Sequence, residues 1–319
     1  MNLKLSAAGF AIQADKGAPE AQPAYFGPVG GGGLVGFDVT QTPDELTSAQ
    51  VGPVGEFRES VAVAADYESR MWPASIAGLL YAVLGDIDTS GALTPYTHTI
   101  QPASLLPWAT VFGKKDTERK AASDCKLDEL KLEWEGNGPV KVTATWAGIS
   151  ASWSDVEYVP GLDEAEVNYF KGIALAATID LDGAAHDGGC VILSGSVDIK
   201  RNVTADTRSG QLESSDLFEG ALEIAVELKC RVPDLTAVRL LVTGAEDGDT
   251  VAADVPYGNF SLAFTDAPDS VTLSATRVAF QTAEPDADPK GGPGELTLTG
   301  ACYGNPCFTA IVVNDVATY

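Results

Sequence analysis

One stretch restricts the fold more than any other. From Glu129 to Trp146 the chain alternates with period two, breaks once, and alternates again. Leu130, Leu132 and Trp134 are interleaved with Glu129, Lys131, Glu133 and Glu135. After Gly136-Asn137-Gly138-Pro139, Val140, Val142, Ala144 and Trp146 are interleaved with Lys141, Thr143 and Thr145. Successive side chains of a strand point to opposite faces, so each run has one apolar and one polar face, and the short break predicts an antiparallel hairpin. Leu222, Ile224, Val226 and Leu228 alternate with Glu223, Ala225 and Glu227 in the same way. A weaker run sets Leu193, Val197 and Ile199 against Ser194, Ser196 and Asp198, with Gly195 interrupting the apolar side and predicting a bulge. The chain is therefore expected to be mainly β.

Only two stretches read as helix. Ser75 is a candidate cap for a run in which Ile76, Leu79, Leu80 and Val83 share a face before Gly85. Asp234 plays the same part for Leu235, Val238 and Val242 before Gly244. The surroundings repeat as well. A proline, Pro73 or Pro233, stands just ahead of each helix; a phenylalanine and a glutamate lie upstream, Phe57 with Glu59 or Phe218 with Glu219. Before these comes a long turn-rich connection, from Thr40 to Glu56 or from Lys200 to Leu217. Downstream, Gly138-Pro139 and Pro293-Gly294 each precede a strand pattern. The order predicts a duplicated unit of strand, long loop, strand, helix and strands, with domains at 1–158 and 159–319 meeting around Pro160-Gly161. The glycine-rich run from Gly27 to Gly33 reads as a flexible loop, and the run from Pro285 to Gly294 as a polar connection.

Charge narrows the function classes. The 319 residues carry 45 acids against 20 bases, a net charge of −25. Phosphate contacts are made mainly by Lys and Arg, so a protein that grips DNA needs the opposite sign. The acidity fits either a merely solubilising surface or one past which DNA slides without adhering. A hydrophobic content of 45% supports a packed core, and no run of about 20 apolar residues is present to span a membrane. Met1-Asn2-Leu3-Lys4-Leu5 leads into no apolar stretch of signal-peptide length, so a cytosolic product is expected.

Chemistry is scarce. Cys125, Cys190, Cys230, Cys302 and Cys307 show no metal spacing and read as small apolar residues, though Cys302 and Cys307 are near enough to meet across a turn. The two histidines differ: His98 lies in a strand pattern, His186 in a Gly/Asp-rich loop. Asp86-Ile87-Asp88-Thr89-Ser90-Gly91 opens like a calcium loop, but Thr97 stands where the bidentate glutamate belongs, so it reads as a polar turn. Glu133 and Glu135 share one charged strand face with Glu129, which suits solvation better than glycoside hydrolysis. No GxSxG, HExxH or phosphate-loop pattern occurs. No enzyme activity, metal or cofactor is expected.

A duplicated β-unit must cover its sheet edges, and sheets joined edge to edge around a ring do so while turning a polar face to a lumen. Here the residues resemble a known family, the major tail tube proteins of long-tailed, siphophage-like bacteriophages. The resemblance is carried by the words from Trp72-Pro73-Ala74-Ser75 to Val83-Leu84-Gly85, by Pro95-Tyr96-Thr97-His98-Thr99-Ile100 and Leu106-Pro107-Trp108, and by Cys125-Lys126-Leu127 with its hairpin; the second half echoes it through 219–244 and 294–300. It implies a β-sandwich or barrel with one flanking helix per domain, and stacked rings forming a hollow tube with a β-barrel lumen through which DNA is ejected. It also implies a homotrimeric, pseudo-hexameric ring, with a homohexamer as the alternative, in a virion tail assembled in the host cytoplasm. Tape measure, tail terminator and tip proteins are the implied partners, with genomic DNA passing without specific binding. Glu129, Glu133, Asp198, Glu223 and Glu227 become candidates for the lumen, and the loops bounded by Thr40 and Glu56 and by Lys200 and Leu217 for inter-ring contacts. The competing reading is a carbohydrate- or receptor-binding β-module of a virion, which would cluster exposed aromatics near a cleft. Trp72, Trp108, Trp134, Trp146 and Trp153 all lie in the first half, with Trp134 and Trp146 on apolar hairpin faces.

Overall fold

Alternation is realised as strands almost everywhere it occurs. The computed structural model describes residues 6–44, 55–159, 162–163, 168–181, 184–185, 191–232, 236–244, 248–253, 257–282 and 294–319. The first half comprises β1 (Ser6–Ile12), β2 (Tyr25–Pro28), β3 (Gly31–Asp44), β4 (Gly55–Arg70), α1 (Pro73–Leu84), β5 (Gly85–Ser90), β6 (Tyr96–Pro102), β7 (Ala109–Lys115), β8 (Glu118–Glu135), β9 (Lys141–Gly148) and β10 (Ser150–Trp153). A short β11 (Leu162–Asp163) leads to β12 (Leu175–Leu181), β13 (Ala184–Ala185), β14 (Val191–Lys200), β15 (Thr204–Asp206), β16 (Asp216–Phe218), β17 (Glu223–Val232), α2 (Thr236–Thr243), β18 (Tyr257–Asp266), β19 (Asp269–Thr282), β20 (Gly294–Cys302) and β21 (Thr309–Asn314).

Apart from the β5–β6 hairpin of the first half, pairing among the described residues follows one graph in both halves. In the first, β1 pairs with β2 and β7, β7 with β8, β8 with β9 and β10, and β4 with β3 and β9, all antiparallel. In the second, β12 pairs with β13 and β18, β18 with β19, β19 with β20 and β21, and β17 with β14 and β20, again all antiparallel. The long strands β8 and β19 each serve two layers. Their first parts sit in outer sheets with β7 and β10 or with β18 and β21, and their later parts join β9 or β20. In β8 the switch is marked by a register shift and by Asp124 at φ 51. The halves are fused where β8 pairs with β14, giving one eight-stranded sheet in the order β3–β4–β9–β8–β14–β17–β20–β19. Within one subunit the sheets do not close into a barrel.

The core lies between this sheet and the outer strands, with α1 inside it. All of α1 except Tyr81 is buried, which is the expected fate of a helix that is apolar all round. Its start is set differently from the expected cap. Trp72 is the extended residue before the helix, Pro73 takes the first helical position, and Ser75 lies buried one turn in with no capping bond. Gly85 does end the helix as expected, at φ 102, donating its N–H to the Tyr81 carbonyl. A side chain there would also meet the Leu105 carbonyl at 2.4 Å.

Other expectations fall for identifiable reasons. The run from Gly27 to Gly33 is not a loop but the end of β2 and the start of β3, because the Gly30 N–H is donated to the Glu68 carbonyl and β3 pairs onward along β4. Residues 86–90, taken for a polar turn, form β5, paired to β6 throughout. The bulge in β14 lies between Ile192 and Ser194, not at Gly195. Gly195 is needed for closeness instead: an added Cβ would lie 2.5 Å from the Trp134 ring and 2.8 Å from the Glu227 carbonyl. A Gly195→Val chain should lose about 1–3 kcal/mol through overpacking, read as a lower urea midpoint at unchanged slope. Cys125, Cys230, Cys302 and Cys307 are free thiols, so Cys302 and Cys307 do not pair. Burial pushes the Cys302 thiol up to about 12, which leaves it unreactive. His186, Cys190, Pro233, Asp234, Leu235 and the connection 283–293 lie outside the described residues.

A polar chain locks the halves together around His98. Thr89 Oγ1 donates to His98 Nδ1 at 2.8 Å, and His98 Nε2 donates to Asn314 Oδ1 at 3.1 Å. Asn314 Nδ2 donates to the Pro73 carbonyl and to Tyr319 Oη, which in turn donates to the Ala74 carbonyl. Both imidazole nitrogens are thereby used in the neutral form, and burial holds the His98 pKa below its usual 6.5. The unfolded chain then binds a proton that the folded one refuses, so the stability gained from neutral His98 is complete above pH 6.5 and is lost as pH falls below it. Each pH unit in that window removes at most about 1.4 kcal/mol. Thermal melts between pH 7.5 and 5.5 should show this loss, and a His98→Gln chain should show a smaller one.

Candidate functional site

The eight-stranded sheet turns one face to the core and presents the other as a continuous charged surface. Cross-strand register aligns its side chains in rows. One row runs Arg70, Lys141, Glu133, Ser196, Glu227, Thr299, Gln281. The next runs Glu68, Thr143, Lys131, Asp198, Ala225, Ala301. A third runs Asp66, Thr145, Glu129, Lys200, Glu223. Their neighbours along each strand are buried: Leu130, Leu132 and Trp134 on β8, Val197 and Ile199 on β14, Ile224, Val226 and Leu228 on β17. The alternation thus positions the charges without any special loop.

Carboxylates outnumber cations on this face, and its lysines are engaged. Lys200 lies 3.3 Å from both Glu129 and Asp198, Lys229 lies 2.6 Å from Glu295, Lys131 lies 3.7 Å from Glu133, and Lys141 lies 4.0 Å from Glu68. Such exposed pairs contribute little stability, roughly 0–1 kcal/mol each. Their chemical effect is larger: an ammonium already facing carboxylates is a poor anchor for phosphate. Burial and the neighbouring Glu129 push the Asp198 carboxyl up, while Lys200 opposes them. Register places the lumen candidates Glu129, Glu133, Asp198, Glu223 and Glu227 on this one face.

The loop candidates are placed otherwise. Thr40 and Glu56 are not in a loop but on β3 and β4, paired with Ser60 and Pro43. Before Val63, β4 has no pairing with β9 and runs from Gly55 with β3 as a two-stranded arm; residues 45–54, between these strands, lie outside the described residues. Lys200 closes β14 on the charged face. Leu217 is buried in the β15–β16 ribbon, and the connection between Lys200 and Leu217 is tied to the first half of the same chain. The Val61 N–H is donated to the Leu212 carbonyl, Lys16 pairs with Asp216 at 2.9 Å, and Lys126 donates to the Leu217 carbonyl.

That last lysine belongs to a feature invisible in sequence. Lys126 Nζ lies 2.6 Å from Glu219 Oε1, with side chains 6% and 11% exposed, and 4.1 Å from the centre of the Trp108 ring. The Leu106 N–H also donates to Glu219. Burial alone would raise the Glu219 carboxyl, but Lys126 and these N–H donors hold it below the usual range. The strand edges are the other feature: among the described residues β3 has no partner except β4.

Among the described residues no cluster of His, Cys, Asp and Glu could hold a metal ion, and no helix is long and apolar enough to cross a membrane. No curated protein matches the chain. A family model described as phage tail tube protein matches residues 6–303, nearly the whole chain. That family is structural rather than catalytic, its members are virion components, and membership implies self-association into a tube. The chain, with its uninterrupted β-sheet and acid-rich open face, belongs to the phage tail tube protein family.

Proposed function

We propose that the chain is a duplicated subunit, 1–158 and 159–319, three copies of which close a pseudo-hexameric ring whose lumen is the charged face of the eight-stranded sheet. The observation that carries this reading is the seam between β8 and β14. There the last strand of one unit's inner sheet pairs with the first strand of the next unit's. The corresponding first strand of the chain, β3, has an open edge, and the corresponding last strand, β19, is described as far as Thr282. Repeating the in-chain seam between copies uses both edges, leaves none exposed, and sets every unit in the same relation to the next.

Geometry supports three copies over six. At about 4.8 Å between strands, twenty-four strands enclose a backbone circle roughly 37 Å across, whereas forty-eight would enclose roughly 73 Å, far wider than a duplex needs. A wall in which carboxylates predominate and lysines are paired conducts DNA without holding it. Rings stack into the tube, with the β3–β4 arm reaching past the sheet toward the neighbouring ring. A tape measure protein inside, terminator or tip proteins at the ends, assembly in the host cytoplasm and ejection of DNA through the lumen complete the reading. Negative-stain electron microscopy of the purified protein at high concentration tests it. Hollow stacked rings with threefold symmetry are expected; a wild-type chain that stays monomeric at every concentration and with every tail partner supplied would overturn it.

A further inference from the structure

The two helices are covered very differently. α1 is buried on all sides because it lies between the halves, packed on β8 of its own and on β19 and β21 of the other, with Asn314 and Tyr319 bonded to its first turn. α2 follows β17 as α1 follows β4, and it ends at a left-handed glycine, Gly244, as α1 does at Gly85. Yet α2 packs mainly on β12 and β19 of its own half, and Val242 remains 42% exposed. What α2 lacks is the outer strand of a following unit.

The chain carries such a strand uncovered. β10 takes the place in the first half that β21 takes in the second, and it ends in Trp153, 64% exposed and stacked on Phe37 at 5.0 Å. These rings, with Val39, Val61 and segment 210–215, wall a groove of about 970 Å³. Register fixes the correspondence. Phe37 pairs with Val63 as Val197 pairs with Val226, and Val63 and Val226 lie against the equivalent glycines Gly148 and Gly300. Val197 and Ile199, at the in-chain seam, are fully buried, whereas Val39 stands 38% exposed. One side of a seam is filled and its counterpart is empty.

We propose that the Phe37–Trp153 groove of one copy receives α2 of the preceding copy in the ring, so that every helix in the assembly is enclosed as α1 is within one chain. This rests on the head-to-tail ring reading and names its contact. The test is a Val242→Cys, Trp153→Cys double variant, oxidised at concentrations where it assembles, with each single variant as background. Burial keeps the Cys125, Cys302 and Cys307 thiols protonated, and the single variants measure whatever background the native thiols give. Covalent dimers and trimers specific to the double variant are expected. Assembled rings without them would overturn this docking and leave the ring standing; failure of the wild-type chain to assemble would remove both. Trp153→Ala gives a second readout. Its monomer should keep the wild-type circular dichroism, while the concentration needed for assembly rises about tenfold to a hundredfold, as for loss of an interfacial tryptophan anchor. A folded Trp153→Ala chain that assembles like wild type would overturn the proposal.

Discussion

Replacing Lys126 with methionine should cost the subunit about 3–5 kcal/mol, the effect of stranding one partner of a buried ion pair. Glu219 would keep its burial and the Leu106 N–H but lose the ammonium 2.6 Å away, and Trp108 would lose the nearer of the two ammonium groups over its ring. Chemical denaturation should report the loss directly. A Lys126→Met, Glu219→Leu double variant should recover part of it, because no charge is then left buried, although the Leu217 carbonyl and the Leu106 N–H stay unsatisfied. Equal losses in single and double variants would mean that packing, not charge, is at stake. The wild-type pair also sets an acid limit. Since the Glu219 carboxyl is held below 4.5, its contribution is present above that pH and disappears as pH falls through the folded value.

The other large effect is functional. Glu223 and Glu227 are exposed and unburdened by packing, so a Glu223→Lys, Glu227→Lys chain should match wild type in stability to within about 0.5 kcal/mol and should still form tubes. A lysine at position 227 would then lie between Ser196 and Thr299, with no carboxylate directly opposite it, and one at position 223 would lie opposite Lys200. Purified variant tubes should retain duplex DNA in a salt-dependent manner, with log K falling by roughly 0.9 per phosphate contacted for each unit of log salt, while wild-type tubes retain none. Phage built from the variant should eject poorly. Full infectivity with no DNA retention would place these strands away from the channel.

Much of this was legible in the residues because burial and alternation are coupled. The 129–146 hairpin, the run through Val226 and the polar side of each strand on which the five acids stand all follow from a period of two. Gly85 was readable as a stop because only a left-handed residue fits there. What failed was context. Ser75 looks like a cap, but Pro73 claims the helix start. The glycines from Gly27 to Gly33 look flexible, yet the edge of β4 supplies partners that local propensity cannot anticipate. The seam between β8 and β14 joins residues 59 to 71 positions apart, and nothing in either strand announces its partner. The Lys126–Glu219 pair is illegible for the same reason, since its two residues stand 93 positions apart and meet only in the fold.

The interlocking of the halves has a consequence for biosynthesis. β6 pairs with β21, and α1 is closed off by Asn314 and Tyr319. A nascent chain therefore exposes its most apolar helix until residues 310–319 have left the ribosome, and folds late, as high contact order demands. The subunit is then a natural chaperone client during translation. The inner sheet likewise is whole only once β20 has been made, because Gly294–Cys302 is the strand that joins β17 to β19.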